Sequence, residues 1–572
     1  MVSTAWVIGR HAALAALLAA TPSARGDFFV DVAAGVDAPS GGTAASPWKT
    51  ISYALEQVSG TGHVIHVAPG SYTAAAGESF PLPMEPGVSV RASVPGTAEL
   101  VAGPQATLVH FRSHDGAFSP SVEFGPDTRL EGLVLRGAGV GVRVENDGQS
   151  FTLDCGPTLQ RLSFRQCEEG LVLDGHGDAL VDPEVLGCAF ESCTWGIRVD
   201  CTAVLKVRPR IEGCRFEGCC VGFQAPCPGD TIEPVLRRSV FQSCGRGVVV
   251  GGPVVGVNGT LEIEECAFLD CGFGVAWGGG SYASTAELVL ARCELRRSTG
   301  SALRVSSNTL GSAQVFLRDT LLADGAQAVD AVGGSGLTPL SVGLSGCTVA
   351  NNAVGFDGQG FRGYGIVLSN LWGNSPSFAD AGDPFPPGIG ISWSNTDQLA
   401  SLSPTNLSVD PLFADAAGED YHLSPASPLI DAGDPDAVPG GLDADGDPRI
   451  TDGDGDGLAR RDPGYDEHNR VSLSATPPDG LAGALALATA VPPGWVYVHF
   501  AAPAVGDLPL GGLGSFLLDV AGAGLLPSPS GTGLDLVPVP ALGGLEVHLQ
   551  ALGLDPLSGG GALSNHASLV LP

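Results

Sequence analysis

Three aspartates spaced two apart, Asp452, Asp454 and Asp456, followed by Gly457, are the strongest chemical feature of this 572-residue chain. D-x-D-x-D-G is the spacing with which a loop wraps carboxylate oxygens around Ca²⁺, the glycine allowing the sharp turn. A full loop of this kind closes with a bidentate Glu at its twelfth position, where Pro463 stands, so Asp462 is the substitute. Asp443, Asp445 and Asp447 add a second acidic run. The expectation is a structural Ca²⁺ held by Asp452, Asp454, Asp456 and Asp462, stiffening a junction. The alternative is an acidic linker that binds nothing.

Cysteine is the second reactive residue type. The chain has 14, and CRFEGCCVGF (214–223) holds three of them. The pattern C-x-F-x-x-C recurs as LSFRQC, CAFESC, CRFEGC, SVFQSC and CAFLDC, placing Phe164, Phe190, Phe216, Phe241 and Phe268 at intervals of 25–27 residues. The register continues at Leu295, Leu322 and Val349. A repeat of this length means a solenoid, because one unit cannot bury its apolar face without a stacked neighbour. The thiols are then small buried hydrophobes in ladders. Cys201 and Cys227, at equivalent loop positions, are the candidates for a disulfide between adjacent coils. No C-x-x-C and no histidine in register support zinc or dithiol redox chemistry.

The elements that must carry these residues are short strands. Each unit has a second β-like run beginning at glycine, such as GLVLDG, GIRVDC and GVVVGG, with no helical periodicity. Near the N-terminus, Ser46 and Pro47 have the chemistry of a helix start, and Ile51, Ala54, Leu55 and Val58 form one apolar stripe. Such a helix covers the open edge of the first coil, which would otherwise template aggregation. Strands WVYVHF, SFLLDV and LEVHLQALGL in a cysteine-free tail suggest a small β-sandwich.

Lys+Arg 28 against Asp+Glu 61 gives a net charge of −33, a field that repels phosphate backbones and argues against nucleic-acid binding. Arg10, the apolar run from Ala12 to Ala20 and the small residues at Ala24 and Gly26 read as a signal peptide, which implies a secreted or cell-surface protein. Beyond it, no apolar run approaches the ~20 residues of a membrane span.

The segment from Phe28 to Leu82 resembles the opening of exported right-handed parallel β-helix proteins of the pectin-lyase-like superfamily, within a family of undefined function. The matching residues include Gly35, Asp37, Thr50, Gly77 and Glu78. The run from NLWGNSPSF through YHLSPASPLIDAGDP to DPGYDE resembles the closing cassette of the same proteins. The superfamily includes pectate lyases and polygalacturonases, and GHG at Gly175–Gly177 and NTD at Asn395–Asp397 are similar to polygalacturonase motifs. Their order is reversed, and the adjacent Asp pair and R-x-K clamp are absent, so a loop histidine and a turn are the better reading.

Together these features predict an all-β chain: a signal peptide over 1–26, a right-handed parallel β-helix with an N-terminal capping helix over 27–435, an Asp/Gly-rich junction over 436–470, and a C-terminal β-sandwich over 471–572. The expected role is non-catalytic binding or structure towards a polysaccharide or other cell-envelope component. The competing reading is a polysaccharide lyase or glycoside hydrolase, favoured if carboxylates and an Arg cluster on one face. Trp195 and Trp277 are candidate sugar platforms or core. Lys206, Arg208 and Arg210 form an outward basic row.

Overall fold

The computed structural model describes residues 26–469, apart from 115–121, 148–153, 176–179, 202–205, 227–230, 252–258, 280–284, 308–311, 333–339, 360–362, 380–388, 399 and 438–440, together with the strands between 472 and 570. The chain coils into a parallel β-solenoid with three long sheets of 14, 13 and 12 strands, here sheets A, B and C in the order the chain visits them within a coil. One coil runs through Glu184–Leu186 in sheet A, Ala189–Glu191 in sheet B and Trp195–Cys201 in sheet C. Register between coils is in step: Phe164 pairs with Phe190, Phe190 with Phe216, and Phe216 with Phe241.

The phenylalanine ladder therefore forms as the period predicts. Rings of Phe164, Phe190, Phe216, Phe241 and Phe268 stack with centroids 4.4–4.7 Å apart and planes within 5° of parallel. All five are fully buried. The glycine that opens each sheet C run makes room for them. A Cβ on Gly170, Gly222 or Gly247 would lie 2.6–2.8 Å from the ring of Phe190, Phe241 or Phe268.

The repeat cysteines, such as Cys188 and Cys193, occupy the two corners that flank sheet B, whereas Cys155 lies on a separate four-stranded sheet. Each corner turns on a residue in the left-handed region, such as Gly187 (φ 59°) or Ser192 (φ 54°), and the next residue points inward. At the second corner Cys193 Sγ donates to the carbonyls of Phe164, one coil earlier, and Glu191, at 3.7 and 3.8 Å. Cys167, Cys219, Cys244 and Cys271 make the equivalent contacts. Where the cysteines stop, Asn352 takes over, donating to Leu322 and Ala350 at 3.0 Å. The role of these thiols is to satisfy buried corner carbonyls with a small side chain. Among the described residues twelve cysteines are free thiols, all buried except Cys220. Cys201 ends its strand paired with Gly175, and Cys227 lies outside the described residues.

The capping helix is Ile51–Gln57, and Ile51, Ala54, Leu55 and Val58 are buried as the stripe requires. Its start corrects the sequence reading. The N-cap is Thr50, whose hydroxyl oxygen accepts from Tyr53 N, while Ser46 sits in the preceding turn. The reason is non-local: Glu78 accepts from the Ile51 and Ser52 amides at 2.7 and 3.0 Å, and Asp37 accepts from Lys49 N, Thr50 N and the Thr50 hydroxyl. The first helical amides are thus met by carboxylates from both sides.

Residues 407–469 fold back against the flank of sheet B. Tyr421 and Tyr465 pack with Leu321, Ala323 and Ala350, and Arg449, 0 % exposed, donates to Gly464 O and approaches Asp319 of the solenoid at 3.2 Å. The tail forms small antiparallel sheets, among them one of four strands and one of three. No helix among the described residues is long and apolar enough to cross a membrane.

Candidate functional site

Strand alternation decides which residues face outward on sheet C. In Val140–Asn146, Val142 and Val144 enter the core while Arg143 and Glu145 point away. Arg143 is in register with His110 and Val172, and Val172 with Arg198. Two residues along, Arg112, Glu145, Asp174 and Asp200 form the neighbouring outward row. Four consecutive coils thus place a row with two arginines and a histidine beside a row with three carboxylates and one arginine.

The two rows are laced together. His110 Nε2 lies 2.8 Å from Glu145 Oε2, Arg112 is 3.4 Å from Glu145 and 2.7 Å from Asp147, and Arg143 Nη1 is 2.7 Å from Asp174. Arg198 pairs with Glu169, lies 3.9 Å from Asp200, and sits over the Trp195 ring, 5.2 Å from its centroid. The hydrogen bond to His110 holds the Glu145 carboxyl below its ordinary value, opposed by burial and helped by Arg112 and Arg143.

Chemically this surface offers donors and acceptors in fixed positions with an indole at its edge. It also contains a histidine oriented by a carboxylate, the arrangement a general base requires. Apart from Trp195, the site was missed in the sequence because its members lie on four coils of different lengths. Only the length of the loops, which sets the register, could have revealed it.

The sequence-based candidates fall elsewhere. Asp452 and Asp454 come together with Asp431, one ligand atom from each lying within 4.8 Å of the others. Asp452 turns its loop by accepting from Gly455 N and Gly457 N, and Asp456 accepts from Leu458 N. Asp462 is fully buried; its two oxygens accept from the Asp431 and His468 amides, and burial raises its carboxyl to about 7. Asp431, and not Asp456 or Asp462, is the carboxylate grouped with Asp452 and Asp454.

His176 lies outside the described residues. Asn395 is a buried ladder residue, donating to Asn370 and Val409 O, and Asp397 accepts from Gly373 N and Ser377. Trp277 is core, whereas Trp195 lies half-buried on the outer face. Lys206, Arg208 and Arg210 are exposed, with Arg208 and Arg210 paired to Glu233 and Glu212. A concavity of about 400 Å³ opens on sheet A, lined by Phe316, Gly343, Gly365 and Gly390, with Arg318 as its charged lining residue.

His422 is the centre of a further constellation. His422 Nδ1 is 2.5 Å from Asp420 and Nε2 is 3.1 Å from Asp445. Burial lowers the affinity of His422 for its proton, but Asp445, Asp466 and Asp420 together outweigh it and raise the imidazole to about 10.

Residues 33–117 match a family described as protein of unknown function (DUF1565). That span contains the whole Asp37–Thr50–Glu78 cap. No curated protein matches the chain. Among solved structures, the A-modules of the mannuronan C-5 epimerases AlgE4 and AlgE6 of Azotobacter vinelandii are similar, at 14 % and 16 % identity. The matches cover 60 % and 62 % of this chain and 92 % of each module, with a TM-score of 0.33 in both cases.

Proposed function

We propose that the protein is an exported, non-catalytic β-helix that binds a hydroxyl-rich glycan across the outer face of sheet C, at Trp195, Arg198, Arg143, Asp174, His110 and Glu145. The observation that carries this reading is the pairing of every carboxylate in the patch with a cation. Glu145, Asp147, Glu169, Asp174 and Asp200 each have an Arg or His partner. Paired charges hold donors and acceptors in fixed geometry without a strong local field, which suits hydroxyl groups, and an indole edge suits the apolar face of a sugar ring. The overall charge of −33 favours a neutral glycan over a polyanion.

A second reading rests on the His110–Glu145 pair. In a lyase acting on an acidic polysaccharide, His110 removes the proton α to a uronate carboxylate, Arg112 or Arg143 neutralises that carboxylate, and the bond to the departing sugar oxygen breaks to leave a carbon–carbon double bond. The two readings separate in one assay. The purified chain is passed over immobilised neutral and acidic polysaccharides while the same polymers are monitored for shortening and for unsaturated ends. Retention on a neutral glycan without shortening supports binding; unsaturated ends that vanish in His110→Gln support the lyase and reject the first reading.

A further inference from the structure

The geometry points to a divalent transition-metal site at His422, Asp445 and Asp466, with Nε2 and one carboxylate oxygen from each aspartate as ligands. Three segments meet there: the strand Asp420–Leu423, the DADGDP loop and the DPGYDE turn. One ligand atom from each residue lies within 4.8 Å of the other two.

Three observations distinguish this trio from an ordinary acidic cluster. First, Asp466 is 6 % exposed, makes no hydrogen bond or ion pair among the described residues, and brings its carboxylate to His422 and Asp445. Without a metal the protonated His422 is the imidazole that faces this carboxylate; a metal ion takes the place of its Nε2 proton, which is released to solvent. The nearby Asp447 Oδ1 is also buried without a partner. Second, His422 Nε2 lies 3.1 Å from Asp445 Oδ2, a hydrogen-bond separation that is also close to the roughly 3.3 Å edge of a tetrahedron with metal–ligand bonds of about 2.0 Å. Third, His422 Nδ1 is held by Asp420 at 2.5 Å, the carboxylate–histidine arrangement that fixes ring orientation behind a metal. Tyr465 backs the ring, with centroids 5.6 Å apart.

A mixed imidazole and carboxylate set selects Zn²⁺ or its neighbours rather than Ca²⁺, which takes oxygen ligands in larger number. With His422 and Asp445 part-exposed and Asp466 buried, the ion enters from solvent and leaves one position open to water. Its effect is to tie the closing segments of the solenoid to one another.

The test is equilibrium dialysis of the full chain against Zn²⁺ alone, with Co²⁺ as a spectroscopic substitute and Ca²⁺ as the competitor. The site predicts one Zn²⁺ equivalent that is lost in Asp445→Ala and Asp466→Asn, and a Co²⁺ absorption band that disappears in His422→Gln. Asp420→Asn, which touches no metal, weakens Zn²⁺ by about 10–100-fold. Asp454→Asn keeps the equivalent. Asp445 is exposed, so its replacement leaves the fold intact, as circular dichroism will show. A folded Asp445→Ala chain that keeps its full Zn²⁺ content overturns the assignment, as does a wild-type chain that binds no Zn²⁺ or in which Ca²⁺ competes equally.

Discussion

A Cβ placed on Gly196 would lie 2.7 Å from Cδ1 of Phe216 and 2.5 Å from the carbonyl oxygen of Gly222. The glycine at the start of a sheet C run and the phenylalanine of the following coil therefore share one volume. Gly196→Ala overpacks the stack and costs about 1–3 kcal/mol. Phe216→Ala leaves a cavity between Phe190 and Phe241 and costs about 3–5 kcal/mol. Denaturant unfolding of the two variants checks both values. An unchanged midpoint for Gly196→Ala would show that the ring and strand can part without loss.

Thiol reactivity follows from the corner ladders. Cys220 is the one exposed cysteine among those described, whereas burial pushes the thiols of Cys155, Cys293 and Cys347 up to about 12. A short pulse of alkylating reagent on the native chain should modify Cys220 and leave Cys155, Cys193, Cys214 and Cys347 unmodified until denaturant is added. Mass spectrometry of tryptic fragments reads this out. Rapid native modification of Cys193 or Cys214 would contradict the ladder.

The helix cap gives a third expectation. Glu78 is 5 % exposed and accepts two amides of the capping helix. Glu78→Ala leaves both donors buried without a partner, at about 1–3 kcal/mol each. Hydrogen exchange should accelerate at Ile51 and Ser52 while Phe216 and its neighbours stay protected. Uniform acceleration throughout the chain would instead mean that cap and solenoid unfold as one unit.

Glu145 links the sheet C patch to pH. Its carboxyl is held below the usual range, so the folded state releases the proton more readily than the unfolded chain. The stabilisation is fully present above the unfolded value of about 4.3 and is lost as pH falls through the lower folded value. Glu145→Gln should therefore cost about 1 kcal/mol at pH 6 and progressively less as the pH falls below the unfolded value. Denaturation midpoints of both chains across that window test the sign, and a cost that grows on acidification contradicts it.

How far the sequence disclosed all this depended on repetition. Phe164 to Phe268 and Cys167 to Cys271 were legible because one residue type returns at each coil, so the period alone gives the stacking. The apolar stripe Ile51–Ala54–Leu55–Val58 was equally plain. The cap was not, because local capping chemistry at Ser46 says nothing of Glu78, which reaches the helix from beyond it in the chain. The sheet C patch was hidden because His110, Arg143, Val172 and Arg198 share a register position but not a residue type. Asp452, Asp454 and Asp456 drew attention through their spacing, while Asp431 and Asp466, which complete the clusters, stand apart in sequence.

The most direct test of the account is retention of the full chain on immobilised neutral polysaccharides, compared with Trp195→Ala and the double variant Arg143→Ala/Arg198→Ala. Binding through the sheet C patch predicts retention of the wild-type chain, at least about tenfold weaker retention of both variants, and no shortening of the polymer. Equal retention of all three chains, or appearance of unsaturated polymer ends, would contradict it.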